Sequence, residues 1–111
     1  MLVKSLNYWS VPGGLEGSLD PIAFMDTAKA CGFDAVELAV GEAGSALGTD
    51  ATEARCHELK AAAESRGLSI PSLASGLYWG RNLGDADPAK RAQARADLEA
   101  ALPIASWLGA K

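Results

Sequence analysis

The sequence has few of the features that mark secreted or membrane proteins. Its two cysteines are Cys31 and Cys56, and no apolar run approaches the length of a membrane span. The amino-terminal segment MLVKSLNYWS contains too short an apolar run for a signal peptide. We therefore expect a cytoplasmic protein in which both cysteines are reduced thiols buried on apolar helix faces. A disulfide between them is the less favoured alternative.

Histidine and basic residues are also scarce. The one histidine, His57, has no second ligand at the next helical turn, which predicts a surface helix residue rather than a metal site. The 10 Lys and Arg residues are outnumbered by 14 Asp and Glu residues, so the net charge is −4. The basic residues cluster only at Lys90, Arg91 and Arg95. This balance argues against a nucleic-acid surface and against a polybasic membrane patch.

Apolar residues are plentiful, and they are arranged in a recurring order of helix, glycine and strand. With 111 residues, 49% of them hydrophobic, the chain is one domain (1–111) with its own core. Residues 22–31 carry apolar side chains at helical spacing, Gly32 fits the helix end, and an apolar strand follows. The same order recurs at Gly67, and a third helix end occurs at Gly109. We predict three βα units, an α/β chain with a parallel three-stranded sheet and helices on one face. A fourth strand should begin near residue 110, where the sequence ends, and we expect it to be missing.

The predicted helices have recognisable starts. Asp20 and Asp87 each precede a proline, an arrangement typical of an N-cap carboxylate followed by proline at the first helical position. The middle helix begins near Asp50 or Thr52, and Asp50 has the spacing of a capping box with the glutamate three residues later. The third helix runs to residue 108, and a proline at position 103 should kink it or be absorbed.

The predicted strands cover residues 2–7, 35–39 and 69–75. In the middle strand, period-two alternation places Ala35, Glu37 and Ala39 on one face, and bulky aliphatic residues on the other. The aliphatic face should meet the helices, so Glu37 should point into whatever the sheet encloses. Pro71 argues against a fully paired central position for the third strand. Long glycine-rich loops follow the strands, which is typical of a TIM barrel and equally of a doubly wound sheet.

Several residues near the strand ends are candidates for binding a small molecule. The Tyr-Trp pairs 8–9 and 78–79 lie just beyond two strands, where aromatic rings either line a pocket mouth or cap the core. Glu37 is either a pocket carboxylate or a structural partner for Lys4 or a loop N–H. Arg81 as a phosphate ligand is the less favoured interpretation, and Ser72 and Ser75 either bind hydroxyl groups or satisfy local backbone. The predicted substrate-binding set is Asn7, Trp9, Glu37, Glu42, Ser75, Tyr78 and Trp79.

The motifs SLNYW, GFDAVELAVGE and IPSLASGLYW, followed by DP-x-x-R, resemble the sugar phosphate isomerase/epimerase family. This family belongs to the xylose-isomerase-like TIM-barrel superfamily, which also includes AP endonucleases. The resemblance covers the whole chain but only the first three of eight βα units. It is nearest to the hexulose-6-phosphate isomerase and ribulose-5-phosphate 3-epimerase branch.

The resemblance implies a divalent metal, Mn²⁺ or Mg²⁺, bound by residues of later barrel strands, two of whose carboxylates transfer protons at a sugar carbon. No metal ligand and no catalytic residue is carried over to this chain. The resemblance therefore implies the amino-terminal part of a sugar or sugar-phosphate isomerase or epimerase that is inactive alone. Two alternatives remain: a fragment that self-associates through open sheet edges and an apolar interior face, and, less favoured, an AP-endonuclease-like hydrolase.

Overall fold

Three parallel strands, each followed by a helix, make up the chain. The structure is a computed structural model that describes residues 2–111. The elements are β1 Ser5–Asn7, α1 Pro21–Ala30, β2 Ala35–Val40, α2 Glu53–Ser65, β3 Leu73–Ser75 and α3 Pro88–Leu108. The strand order is β1-β2-β3, and both pairings are parallel. The predicted (βα)3 order and the parallel three-stranded sheet are confirmed.

The core lies between the sheet and its helices. Val36, Leu38 and Val40 project from one face of β2 and are at most 2% exposed. They belong to one apolar cluster with Phe24 of α1, Leu59 of α2, and residues of α3. Because these aliphatic side chains alternate with Glu37, the period-two pattern decides which face of the sheet the helices cover.

The helix starts follow the predicted chemistry in two of three cases. The Asp20 carboxylate accepts a hydrogen bond from Ala23 N at 3.0 Å, and Asp87 accepts one from Ala89 N at 2.9 Å. The capping-box role predicted for Asp50 is wrong, because Thr52 is the N-cap of α2. Asp50 instead accepts from the backbone of the preceding glycine-rich loop, and it stabilises that loop rather than the helix.

Two strands are shorter than the sequence predicts. Leu2 is 85% exposed, and β1 begins only at Ser5, opposite the first residue of β2. β3 begins at Leu73, because Pro71 has no N–H to donate to the ladder. Upstream of that proline, the pairing with β2 is reduced to an isolated bridge between Ser69 and Ala35.

Helix α3 is the longest element and contains Pro103 in its interior. The helix continues through this residue to Leu108, so the proline is absorbed rather than ending the helix. Charged residues are distributed along α3, and in the described range 2–111 no helix has both the length and the apolar composition needed to cross a membrane.

The two cysteines occupy different environments. Cys56 is fully buried in α2, as predicted, and burial raises the pKa of its thiol. The prediction that Cys31 is buried is wrong: it follows the last residue of α1 and is exposed. Both are free thiols.

His57 is exposed on α2, as expected for a surface helix residue.

The sheet face turned away from the helices is small and polar. Its register brings Asn7 beside Glu37, and further side chains of this face come from Ser5, Ala35, Ala39, Ser72 and Ala74. The expectation of an apolar interior face is therefore wrong, because the alternation that fills the core with aliphatic residues leaves alanine and polar residues on the other side. Self-association through the sheet edges stays a prediction.

Gly14 gives a test of the close packing beyond β1. An ideal Cβ at this buried position would lie 1.9 Å from the Tyr8 carbonyl oxygen. We expect Gly14→Ala to lower the free energy of unfolding by about 1–3 kcal/mol, because backbone must move to relieve the overlap. Urea unfolding measures the change. Gly80→Ala is the matched control, since its Cβ would meet nothing within 4 Å and its φ of −94° suits alanine. Equal stability of the two variants would contradict this packing.

Candidate functional site

A cavity of about 330 Å³ lies at the carboxyl ends of the three strands. Its lining residues come from the end of β2 and from the segments that follow the three strands, and they fall within the ranges 8–17, 39–47 and 76–81. The volume lies at the small end of the range for small-molecule sites. The parallel arrangement thus brings three loops, far apart in sequence, around one space.

Trp9 and Trp79 stand together at this cavity. Their ring centroids are 5.0 Å apart with an angle of 44° between the planes, and both residues line the cavity. Trp79 is 72% exposed, so much of its ring remains free for a ligand. The structure places this pair at the pocket mouth, and its binding role stays a prediction.

The two tyrosines have other surroundings. Tyr8 is 3% exposed, donates its hydroxyl to the Leu19 carbonyl and packs edge-on against Phe24 at 5.3 Å. Burial, with the nearby Asp20 charge, raises the pKa of Tyr8. Tyr8 therefore caps the core beneath the first loop, although it also lines the cavity.

Tyr78 does not line the cavity. Its hydroxyl oxygen is buried and has no hydrogen-bond partner among residues 2–111. Burial raises the pKa of this phenol, and the negative charge of Asp97 raises it further. Among the described residues that line the cavity, Tyr78 is not included, so its predicted substrate contact has no support from the geometry.

Glu37 lies at the centre of a hydrogen-bond network on the interior face. Its Oε1 accepts from Asn7 Nδ2 at 2.6 Å, and its Oε2 accepts from the Ser72 hydroxyl. Asn7 in turn accepts from Trp9 N at 2.8 Å. The suggested pairing with Lys4 is wrong, because the Lys4 ammonium donates to the Gly32 carbonyl at 3.0 Å. The network connects the half-buried carboxylate to the Trp9 backbone, although neither Glu37 nor Asn7 is among the residues that line the cavity.

Ser75 lies on the other face of the sheet from Glu37. It is in register with Val40, whose side chain enters the core, and its Oγ accepts from Leu77 N at 3.3 Å. This contact satisfies local backbone, the alternative that the sequence left open. A sugar contact by Ser75 is not supported by its orientation.

Arg81 joins two carboxylates from different parts of the chain. Its Nη1 and Nη2 donate to Glu42 at 2.8 and 3.0 Å. Its Nε and Nη2 donate to Asp97 at 2.6 and 3.2 Å, and Gln93 donates to the same carboxylate at 3.1 Å. The hydrogen bonds from Arg81 lower the pKa of Glu42 and of Asp97, and together they raise the pKa of Arg81. Arg81 thus has little capacity left for a phosphate.

Asp97 is the site residue that the sequence reasoning missed. It is only 4% exposed and lies on the buried stripe of α3 with Ala94, Ala101, Ile104 and Leu108. A carboxylate at a core position of an amphipathic helix signals a buried partner, because an unpaired charge there is costly. That signal was present in the sequence, although it does not identify Arg81.

Among residues 2–111, the acidic side chains near the cavity do not form a site for a divalent metal. In the described part of the chain, no three His, Cys, Asp or Glu side chains form a group that could hold one. The Glu37 oxygens are engaged by an amide and a hydroxyl, and Glu42 is engaged by a guanidinium. The metal implied by the family resemblance therefore stays an expectation for residues other than these.

Comparison with known proteins agrees with this architecture. The open parallel sheet with its cavity at the strand carboxyl ends is part of a TIM barrel, and the predicted fold is confirmed. Residues 25–111 match the family model described as xylose isomerase-like TIM barrel, and the chain belongs to this family.

Among solved structures, the crystal structure of D-psicose 3-epimerase in the presence of D-fructose matches with a TM-score of 0.66 at 18% identity. The match covers 98% of this chain and 35% of the length of that epimerase. At this identity the likeness shows the fold. None of the curated proteins compared matches the chain.

The ion pairs of Arg81 with Asp97 and Glu42 make the free energy of unfolding depend on pH at acidic pH. Because the pKa values of Asp97 and Glu42 are lowered in the folded state, protons bind first to the unfolded chain as the pH falls. The contribution of these ion pairs to the free energy of unfolding is therefore complete above the pKa values of the unfolded chain, and it is lost as the pH falls from about 5 to about 3. Urea unfolding across this range should show a smaller loss for Asp97→Asn than for the wild type. Parallel pH profiles for the two proteins would contradict this coupling.

Proposed function

We propose that this chain forms part of the substrate pocket of a sugar isomerase or epimerase. The observation that carries the proposal is the cavity at the strand carboxyl ends, walled by Trp9 and Trp79. In TIM-barrel enzymes this end of the barrel holds the active site. A sugar is the substrate class that the family and its epimerase neighbour suggest.

The cavity and the adjoining interior face of the sheet together offer both of the contacts that a sugar uses. The exposed ring of Trp79 can stack on the C–H face of a sugar ring, and the indole N–H can donate to a hydroxyl. Glu37 does not itself line the cavity, but it receives only one hydrogen bond on each oxygen, so each oxygen keeps a lone pair for a sugar hydroxyl that reaches the interior face of the sheet. Asn7 positions this carboxylate by its hydrogen bond at 2.6 Å.

The charges of the cavity favour the hydroxyl-bearing part of the substrate. Its charged lining residues are Glu16, Glu42 and Arg81, and Arg81 is neutralised by Glu42 and Asp97. A phosphate here would meet net negative charge. If the substrate is a sugar phosphate, this proposal assigns its phosphate to residues outside this wall.

We further propose that catalysis requires residues other than these. A TIM barrel has eight strands, whereas this chain spans 35% of the epimerase that it matches and supplies three. A bound Mn²⁺ or Mg²⁺ would supply Lewis-acid polarisation of the sugar oxygens. In this proposal the chain alone is inactive. It is located in the cytoplasm, where it binds a small sugar and orients one side of that sugar.

Sugar binding tests the proposed pocket. We expect D-fructose titrated into the 111-residue chain to shift the tryptophan fluorescence with saturation. Trp79→Ala should weaken binding about 2- to 12-fold, or roughly 0.5–1.5 kcal/mol, because a stacking surface is removed.

Leu83→Ala is the matched control, an exposed apolar residue in the same loop outside the cavity lining. The proposed pocket would be contradicted if the fluorescence of the wild type showed no saturable response to D-fructose, or if the two substitutions changed the affinity equally.

A turnover assay tests the proposed dependence on other residues. We expect the 111-residue chain to give no conversion of a ketohexose to its isomers or epimer, with Mn²⁺ or with Mg²⁺. Chromatographic separation of the sugars measures the conversion, and a chelator-treated sample is the control. Metal-dependent turnover by this chain would show that its own residues complete the reaction.

A further inference from the structure

We propose that Arg81 is a positioning residue that holds the walls of the pocket together, rather than a ligand for substrate. This inference rests on the proposed sugar pocket. It assigns Arg81 a defined task there, to keep the Trp79 segment and the Glu42 loop in fixed places around the cavity.

The three loops around the cavity are joined to one another in a ring. The first contacts the second through the hydrogen bond from Ala46 N to the Gly17 carbonyl at 3.0 Å. The first contacts the third through the rings of Trp9 and Trp79. The second contacts the third through the paired hydrogen bonds between Glu42 and Arg81. Arg81 supplies the link that closes this ring.

The two sides of the Arg81 contact differ in strength. The Asp97 carboxylate is almost fully buried in α3, where an ion pair with good geometry is costly to break. The Glu42 side chain is 66% exposed, and such pairs contribute little to stability. The Asp97 contact therefore anchors the segment of Trp79 to α3, and the Glu42 contact is the weaker link to the second loop.

The tilted tryptophan pair provides a direct readout of this anchoring. Two indoles in contact at a fixed angle give an exciton signal in the far-ultraviolet circular dichroism spectrum. We expect the wild-type chain to show this signal and Trp79→Phe to lose it. Arg81→Ala and Arg81→Lys should also lose it, because lysine cannot reproduce the bidentate geometry.

Two further variants separate anchoring from overall folding. Arg81→Met combined with Asp97→Asn removes both charges, so no unpaired carboxylate is left in the core, and we expect it to fold without the exciton signal. Glu42→Gln keeps the Asp97 contact, and we expect it to retain the signal. Arg95→Ala is the matched control, because Arg95 is an exposed arginine of α3 that pairs with Glu99.

The affinity for D-fructose is the second measurement. We expect the Arg81→Met/Asp97→Asn variant to bind about 2- to 10-fold more weakly, the cost of ordering about one side chain on binding. Arg95→Ala should bind as the wild type does. An unchanged exciton signal and unchanged affinity in the double variant would overturn the role of Arg81 and leave the sugar pocket standing.

The remaining outcomes are also decisive. If the wild type binds no sugar but the signal is lost with Arg81, the proposed function fails while the anchoring is upheld. If the wild type shows no exciton signal, the wall that Arg81 is proposed to hold is absent, and the inference fails. Loss of the signal in Arg95→Ala as well would show a general loss of packing, and it too would overturn the inference.

Discussion

The structure depends on the alternation of side chains along β2. The core beneath the three helices receives the side chains of Val36, Leu38 and Val40. Glu37, which lies between them in sequence, projects from the face of the sheet that is turned away from the helices. A shift of one residue would exchange the two faces and bury the carboxylate among aliphatic side chains. The same alternation places Asn7 and Ser72 beside Glu37, so the packing of the core and the polar network of the interior face are set by one strand register.

The sequence predicts the fold well because its signals are local. The N-cap aspartates, the glycines after each helix and the apolar strands each act within a few residues, and together they determine the (βα)3 order. The errors arise where something outside these local patterns decides, such as a competing loop contact or the exact end of a helix. Asp50 has the spacing of a cap, but the glycine-rich loop before α2 uses its carboxylate. Cys31 fits the apolar helical pattern, yet α1 ends one residue before it.

The candidate site is less predictable than the fold, because its contacts join residues that are distant in sequence. The aromatic pairs are visible in the sequence, and their placement after two parallel strands locates them at one end of the sheet. Whether each ring lines the cavity or fills the core depends on packing, and Trp9 and Tyr8, although adjacent, divide between these roles. The partners of Arg81 lie 39 and 16 residues away along the chain, and no local pattern identifies them.

Tyr8 contacts the first loop at two points. Gly14 lies against the Tyr8 carbonyl, and the Tyr8 hydroxyl reaches the Leu19 carbonyl near the far end of the loop. Because both contacts are made by one residue, they restrict the conformation of the chain between Tyr8 and Leu19. Insertions and deletions are tolerated where backbone is exposed and unattached, so this loop should keep a constant length as the sequence diverges. Relatives that accept larger or smaller ligands would then have to vary the size of the pocket through the other two loops.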